Sequence, residues 1–316
     1  MADSSSAVAL VVGAGGLLGS AMCAELAIQG VEFQAARGLA WSEPEKLAKQ
    51  FDHLVAGMVT QADDRPWLVF WCAGVGHVSA GDAVHRSDQL ALELLLRSIR
   101  TLSPKSVGAL VLASSAGAVY SGNQVWPATE GTEPAPLHGY GESKLMQEAI
   151  VRRELADAPQ IRAVFLRISN LYGVGQAIGK PQGLLSHLVA NTFRRVPSTI
   201  YVPLDTSRDY LFTSDAAAMA IRAAYHGIEG DPGTFEIRIL ASEQNYTISQ
   251  ILGILSKVIR RRVPIVARPT TNTGRQPLML SFRSTDLEQR SLAKVSMEEG
   301  ISRLVGEYAH ARPSVR

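Results

Sequence analysis

Val8-Ala-Leu-Val-Val12-Gly13-Ala-Gly15-Gly16-Leu17-Leu18-Gly19 decides the fold. Five apolar residues without polar alternation mark a strand covered on both faces. Glycines follow at once and open Leu17–Gln29, a helical segment stopped by Gly30, a residue type common just past a helix C-terminus. A glycine loop between a strand and a helix is the context of a nucleotide site. Glycine permits the tight turn and lets backbone N–H groups approach a pyrophosphate, and the helix N-terminus favours negative charge. Gly13, Gly15, Gly16, Leu17, Leu18 and Gly19 are therefore cofactor-binding candidates. A tight turn without ligand is the plainer alternative, and strand, spacing and helix together weigh against it.

Outward from this unit, apolar runs of strand length alternate with helical patterns. Val31–Ala36, Trp67–Cys72, Ala109–Ala113 and Ile161–Ile168 read as strands, and the segments around Gln89–Thr101 and Tyr140–Leu155 as helices. The fold class is α/β, a Rossmann-type doubly wound parallel sheet. Phe235–Leu240 reads as a strand returning to that sheet. Residues 1–173 form the dinucleotide-binding domain, with 209–240 returning to it. Residues 174–208 and 241–316 make up a smaller, interleaved substrate lobe, with less regular stretches over 174–213 and 241–285. Ser296-Met-Glu-Glu299 is a capping-box start for a last helix to about Ala309. Ala73, just past the strand Trp67–Cys72, is a further cofactor contact.

With 316 residues and 46% hydrophobic content the chain can bury a large core. Lys and Arg number 31 against 29 acids, a net charge of +2, so no general field favours a nucleic acid or a membrane surface. Cys23 and Cys72 cannot build a disulfide framework or a CxxC metal site. No apolar run approaches the ~20 residues of a membrane span, and a cytoplasmic protein without a metal is expected. His77, His85 and His138 read as surface or satisfied loop histidines.

Two features point to redox chemistry. Arg37 ends the second strand, 24 positions after Gly13, where a carboxylate binds the ribose 2′-hydroxyl in NAD sites and an arginine suits a 2′-phosphate. No Asp or Glu lies between Glu32 and Glu43, so NADP(H) is favoured and NAD(H) remains possible. Tyr140-Gly-Glu-Ser-Lys144 places a phenol and an ammonium four apart, hence on one helix face. A nearby cation lowers a phenol's pKa, and such a group can exchange a proton with an alcohol or ketone as hydride moves.

Taken together, these motifs resemble the extended short-chain dehydrogenase/reductase family, the NAD(P)-dependent sugar-nucleotide epimerases, dehydratases and ketoreductases. Gly13xxGly16xxGly19 is similar to its cofactor loop, and Leu112-Ala-Ser114-Ser115-Ala-Gly-Ala-Val119-Tyr120 to the motif carrying its catalytic hydroxyl. Thr129-Glu130, Tyr140xxxLys144, Arg167-Ile-Ser-Asn170-Leu-Tyr-Gly173, Arg208-Asp-Tyr-Leu-Phe-Thr-Ser-Asp215 and Glu298-Glu-Gly300 follow in the family's order. The resemblance implies Ser115, Tyr140 and Lys144 as catalytic residues, with Ser114 the rival serine. Tyr140 and Lys144 would also contact the cofactor. It implies that Ser115, Asn170, Arg208 and, more weakly, Arg275 contact a nucleoside-diphosphate sugar, and that the protein is a homodimer.

This chain departs from the family pattern in places. Gly57-Met58 stands where Gly-Asp is common, and the helix around 89–101 has no Asn. Ala116-Gly-Ala118 replaces the acidic pair that dehydratases of the family carry after the catalytic hydroxyl. Dehydration is thereby disfavoured, and a ketoreductase of a nucleotide-linked sugar is the first expectation. A 4-epimerase is second; a ketone reductase of a non-sugar metabolite and a cofactor-binding sensor follow.

Overall fold

The computed structural model describes residues 7–74, 81–102, 106–176, 183–268 and 277–310. The chain opens with β1 (Val8–Val12), α1 (Leu17–Ile28), β2 (Glu32–Ala36), α2 (Pro44–Ala62) and β3 (Trp67–Trp71). There follow α3 (Asp82–Leu102), β4 (Gly108–Ser115), the one-turn helix α4 (Ala116–Val119), α5 (Gly139–Leu155) and β5 (Ile161–Ile168). Next come β6 (Asn170–Tyr172), α6 (Leu184–Arg194), β7 (Ser198–Ile200), β8 (Ser207–Phe212), α7 (Thr213–Glu229) and β9 (Phe235–Leu240). The chain finishes with β10 (Asn245–Thr247), α8 (Ile248–Ile259), β11 (Ile265–Ala267), β12 (Met279–Leu280), α9 (Leu287–Arg290) and α10 (Met297–His310).

Six strands pair in the order β2-β1-β3-β4-β5-β9, every pair parallel. A pleated strand sends alternate side chains to opposite faces. Val8, Leu10 and Val12 accordingly join Phe51 of α2, Leu95 of α3 and Val151 of α5 on one face. Ala9 and Val11 join Met22 of α1 and Ala220 of α7 on the other. This two-sided burial is why the strands read as unbroken apolar runs. Trp67 lies flat against Gly108 of the neighbouring strand, where any Cβ would collide with the indole.

A third cluster builds the smaller lobe from α6, α8 and α10, with Leu188, Ile251 and Ile301 packed around Tyr172 and Phe212. A capping box at Thr247 and Gln250 starts α8, and Ser296 Oγ accepts from the Glu299 N–H at the head of α10. The Tyr172 hydroxyl occupies the space a Cβ on Gly300 would need. The glycine of the Glu-Glu-Gly motif thus seats α10 on the end of β6. A small sheet, β10-β8-β12 with β6 also pairing β8, joins the lobe to the large sheet.

Several expectations need correction. Residues 44–62 are helical with Leu47, Phe51, Val55, Met58 and Ala62 buried at helical spacing, so Gly57-Met58 sits inside α2 and occupies no strand end. The helix expected around 89–101 starts earlier, at Asp82. The stretches 174–213 and 241–285 hold more regular structure than their Pro and Gly content suggested, including α6, β8 and α8. Residues 209–212 lie in β8 of the small sheet, and the chain re-enters the large sheet through β9. Arg275 and His77 lie outside the described residues.

Candidate active site

Strand order reverses between β1 and β3, since β2 and β3 lie on opposite sides of β1. In open parallel sheets ligands bind beyond the carboxyl ends of the strands at such a point. A cavity of about 540 Å³ opens there, reached by the glycine loop, Ala73, the end of β4, the start of α5, and Asn170 and Arg208 from the lobe side.

The glycine loop is shaped for close approach. Gly13 adopts φ 87°, and a Cβ there would lie 2.6 Å from the Ala73 N atom. A Cβ on Gly19 would collide with the Gly13 carbonyl, whereas Gly15 faces open space. Gly15, Gly16, Leu17 and Leu18 line the cavity; Gly13 and Gly19 do not and serve the turn and the helix–strand packing instead. No side chain caps Gly16 and no acid occupies the first turn of α1. The first-turn N–H groups can therefore serve an anion. These residues fit the pyrophosphate of a dinucleotide.

Three candidates for catalysis meet at the cavity. Ser115 ends β4 and caps α4, its Oγ accepting from the Ala118 N–H at 3.3 Å. Tyr140 lies in the first turn of α5, near enough for the Ser115 hydroxyl to favour its ionised form. Ser114 is spent elsewhere: its hydroxyl donates to Glu148 Oε1 at 2.7 Å. Lys144 Nζ donates to the Ala113 carbonyl at 2.9 Å and to Gln147 Oε1 at 3.2 Å, and lies 5.9 Å from the centroid of the Tyr140 ring.

The electrostatics differ from expectation in one respect. Burial, then the Asp88 carboxylate, push the Tyr140 phenol up to about 12, with the Ser115 hydroxyl opposing. No depression by Lys144 develops, because its ammonium faces Ala113 and Gln147 and sits over the ring. Burial in turn pulls Lys144 down to about 8, with Asp88 and Glu148 holding it up. Tyr140 is thus a neutral hydroxyl at physiological pH, poised to donate. Lys144 carries its charge below about 8 and loses it above. The pH profile of kcat/KM for carbonyl reduction, which reports free-enzyme groups, should be flat up to that value and then fall. A limb that rises above pH 8 would show that the neutral lysine is the active form.

On the lobe side, Asn170 Nδ2 donates to the Asp209 carbonyl at 2.9 Å. Arg208 donates from Nη1 to the carbonyls of Ser207 and Leu278 at 2.8 and 3.2 Å. It pairs with no carboxylate among the described residues, and burial lowers its pKa. A half-buried guanidinium with donors to spare suits an anion held by parallel hydrogen bonds. Arg37 stands apart from the cavity lining, exposed one residue past β2. The loop after it is pinned by Gln50, which donates to the Gly38 carbonyl and accepts from the Ala40 N–H.

The profile of the NAD dependent epimerase/dehydratase family matches residues 9–237, more than half of the chain. The chain belongs to that family. Among the curated proteins it is similar to dTDP-4-dehydro-6-deoxyglucose reductase of Escherichia coli, 26% identical over 62% of this chain and 60% of the relative. The chain spans about half to three-fifths of the length of the curated relatives it matches. Its fold resembles UDP-glucose 4-epimerase of Thermotoga maritima, solved with UDP-glucose, at TM-score 0.78 and 20% identity over 96% of this chain and 99% of that one. It also resembles RMD from Pseudomonas aeruginosa, solved with NADPH, at TM-score 0.73 and 18% identity over 96% and 99%. No helix among the chain's described residues is long and apolar enough to cross a membrane.

Sequence reading left three residues of this cavity, His85, Asp88 and His138, out of the site. His85 and Asp88 line the cavity from the first turns of α3, and His85 is 6% exposed within a helix, which overturns its reading as a surface or satisfied loop histidine. His138, N-terminal to α5, lines the cavity too. A signal existed. Leu92, Leu95 and Ile99 form the buried stripe of α3, and His85 and Asp88 continue that stripe toward its N-terminus. Polar residues on an apolar stripe mark a helix that ends at a site.

Proposed function

We propose that the chain is an NADP(H)-dependent reductase of a keto group on a nucleoside-diphosphate sugar. Arg37 carries this reading: it is the charged side chain at the end of β2, with no carboxylate between it and Glu43. An arginine there matches a 2′-phosphate, and a cofactor spent at each turnover is commonly the phosphorylated one. The E. coli relative named as a reductase of a dehydro-sugar nucleotide supports the same class of substrate.

When bound, the nicotinamide cofactor supplies hydride to the carbonyl carbon. The chain's own residues supply the rest. Ser115 orients the carbonyl oxygen and the Tyr140 hydroxyl beside it gives that oxygen its proton, so that ketone, hydride and proton become an alcohol. Lys144 below pH ~8 holds positive charge near the phenolate left behind. Arg208 and Asn170 hold the diphosphate and sugar on the lobe side, with Arg275 as a further diphosphate contact. Ala116-Gly-Ala118, which forms most of α4, offers no acid or base for elimination, so dehydration has no agent there.

Epimerisation is the second reading, supported by the likeness to the Thermotoga enzyme. It requires the phenol first to accept a proton, and a hydroxyl held neutral up to about pH 12 is the poorer acceptor. A homodimer is proposed through the outer faces of α3 and α5, where Leu90 and Met146 are exposed; a monomer in light scattering would contradict it.

Cofactor choice tests the reading. NADPH at equal concentration should raise the melting temperature more than NADH, because the tighter ligand stabilises more. Arg37→Asp removes a charge-assisted contact of about 1.5–3 kcal/mol and should invert that order. Equal or greater stabilisation of the unaltered protein by NADH would overturn the cofactor assignment.

A further inference from the structure

His85 is buried, yet among the described residues its Nε2 atom has no hydrogen-bond partner. Buried polar atoms almost always find one, and an orphan in a native fold calls for an explanation such as an absent ligand. His85 is one of the residues lining the cavity that holds Tyr140, Lys144 and Ser115. Its ring lies 6.3 Å from the Tyr140 ring, inclined by 33°. Asp88, one turn along α3, lines the same wall and acts electrostatically on both Tyr140 and Lys144. A ligand bound against the phenol, at the reacting end of the cavity, would therefore lie next to the His85 ring.

We propose that His85 is a substrate-contacting, specificity-determining residue whose Nε2 hydrogen-bonds a hydroxyl of the sugar ring bound against Tyr140. The assignment rests on the nucleotide-sugar reading above. A cofactor ribose offers hydroxyls of the same chemistry. Position favours the substrate: the glycine loop that would seat the cofactor's pyrophosphate lies on β1 and α1, whereas His85 faces the phenol from α3. Apolar cavities reject an analogue weakly, but a buried polar atom left unpaired rejects one strongly. His85 would thus select sugars carrying a hydroxyl next to the reacting carbon over their deoxy counterparts.

Binding separates the alternatives without depending on turnover. Titration calorimetry would compare UDP-glucose and dTDP-glucose with UDP and dTDP, and with NADPH, on the unaltered protein and on His85→Phe and His85→Gln. Phenylalanine keeps the ring packed beside Tyr140 and removes both nitrogens; glutamine keeps a polar end. The expected result is nucleotide-sugar affinity weakened about tenfold in His85→Phe and partly restored in His85→Gln. UDP, dTDP and NADPH should bind each variant within about twofold of the unaltered protein, a difference small beside one hydrogen bond. Nucleotide-sugar binding unchanged in His85→Phe would overturn the assignment and leave the function standing. So would an equal loss for UDP and dTDP. A loss confined to NADPH would move the contact to the cofactor and overturn it as well. An unaltered protein that binds neither nucleotide sugar would overturn the assignment and the substrate class together.

Discussion

Tyr140→Phe is expected to lower kcat for carbonyl reduction by about 10³-fold, within the range a positioned general acid supplies, with the fold unchanged. Phenylalanine preserves the buried ring and its contact with the His85 ring, and removes only the hydroxyl that Ser115 engages. Because the phenol is neutral at physiological pH, its loss takes away a donor and creates no unpaired charge. Ser115→Ala should cost less, about 10-fold to 100-fold, since it removes orientation of the carbonyl while the acid remains. Steady-state kinetics with NADPH and a keto-sugar nucleotide checks both. Turnover in Tyr140→Phe equal to that of the unaltered protein would show that another group delivers the proton.

Glu148→Leu should produce the largest loss of stability among single changes near the site, about 3–5 kcal/mol. Glu148 and Arg167 form a bidentate pair at 2.7 and 3.1 Å, with side chains 5% and 3% exposed. The remaining Arg167 nitrogen donates to the Tyr120 hydroxyl at 2.6 Å, and Ser114 donates to Glu148. Removing the carboxylate strands a guanidinium in the core and a hydroxyl without an acceptor. At roughly 2–4 °C per kcal/mol the melting temperature should fall by on the order of 10 °C. The double change Glu148→Leu with Arg167→Met should recover much of this, because it removes both charges at once. Calorimetric unfolding of both variants decides it. A loss in the double variant as large as in the single one would mean that packing, and not the unpaired charge, sets the cost.

The large sheet was legible because its strands are buried on both faces and each glycine or turn interrupts an apolar run. Ile161–Ile168 and Phe235–Leu240 therefore read with their observed bounds. α2 was not legible: Pro44 at its first turn and Gly57 in its interior are residue types that oppose a helix, although Leu47, Phe51 and Val55 keep helical spacing. Proline is tolerated at the first turn, where its missing N–H has no partner to lose. Ser115, Tyr140, Lys144 and Asn170 reached one cavity because each lies at or just past the carboxyl end of a strand, or on the helix facing it. His85 and Asp88 could not be assigned to the site from sequence, because the polar end of the α3 stripe has meaning only once the helix is seen to end at Tyr140. The phenol's upward shift was not legible either, since it depends on where the Lys144 ammonium finds its acceptors.

The central claim is that reduced cofactor is consumed in step with a sugar ketone. The most direct measurement incubates the protein with NADPH deuterated at the transferred position and a keto-sugar nucleotide such as dTDP-4-dehydro-6-deoxyglucose. The product is then followed by mass spectrometry and the cofactor by absorbance. A hydroxyl sugar carrying a single deuterium for each NADPH oxidised is the expected result. Conversion of nucleotide sugars with no loss of NADPH and no deuterium in the product would contradict the account and identify an epimerase instead.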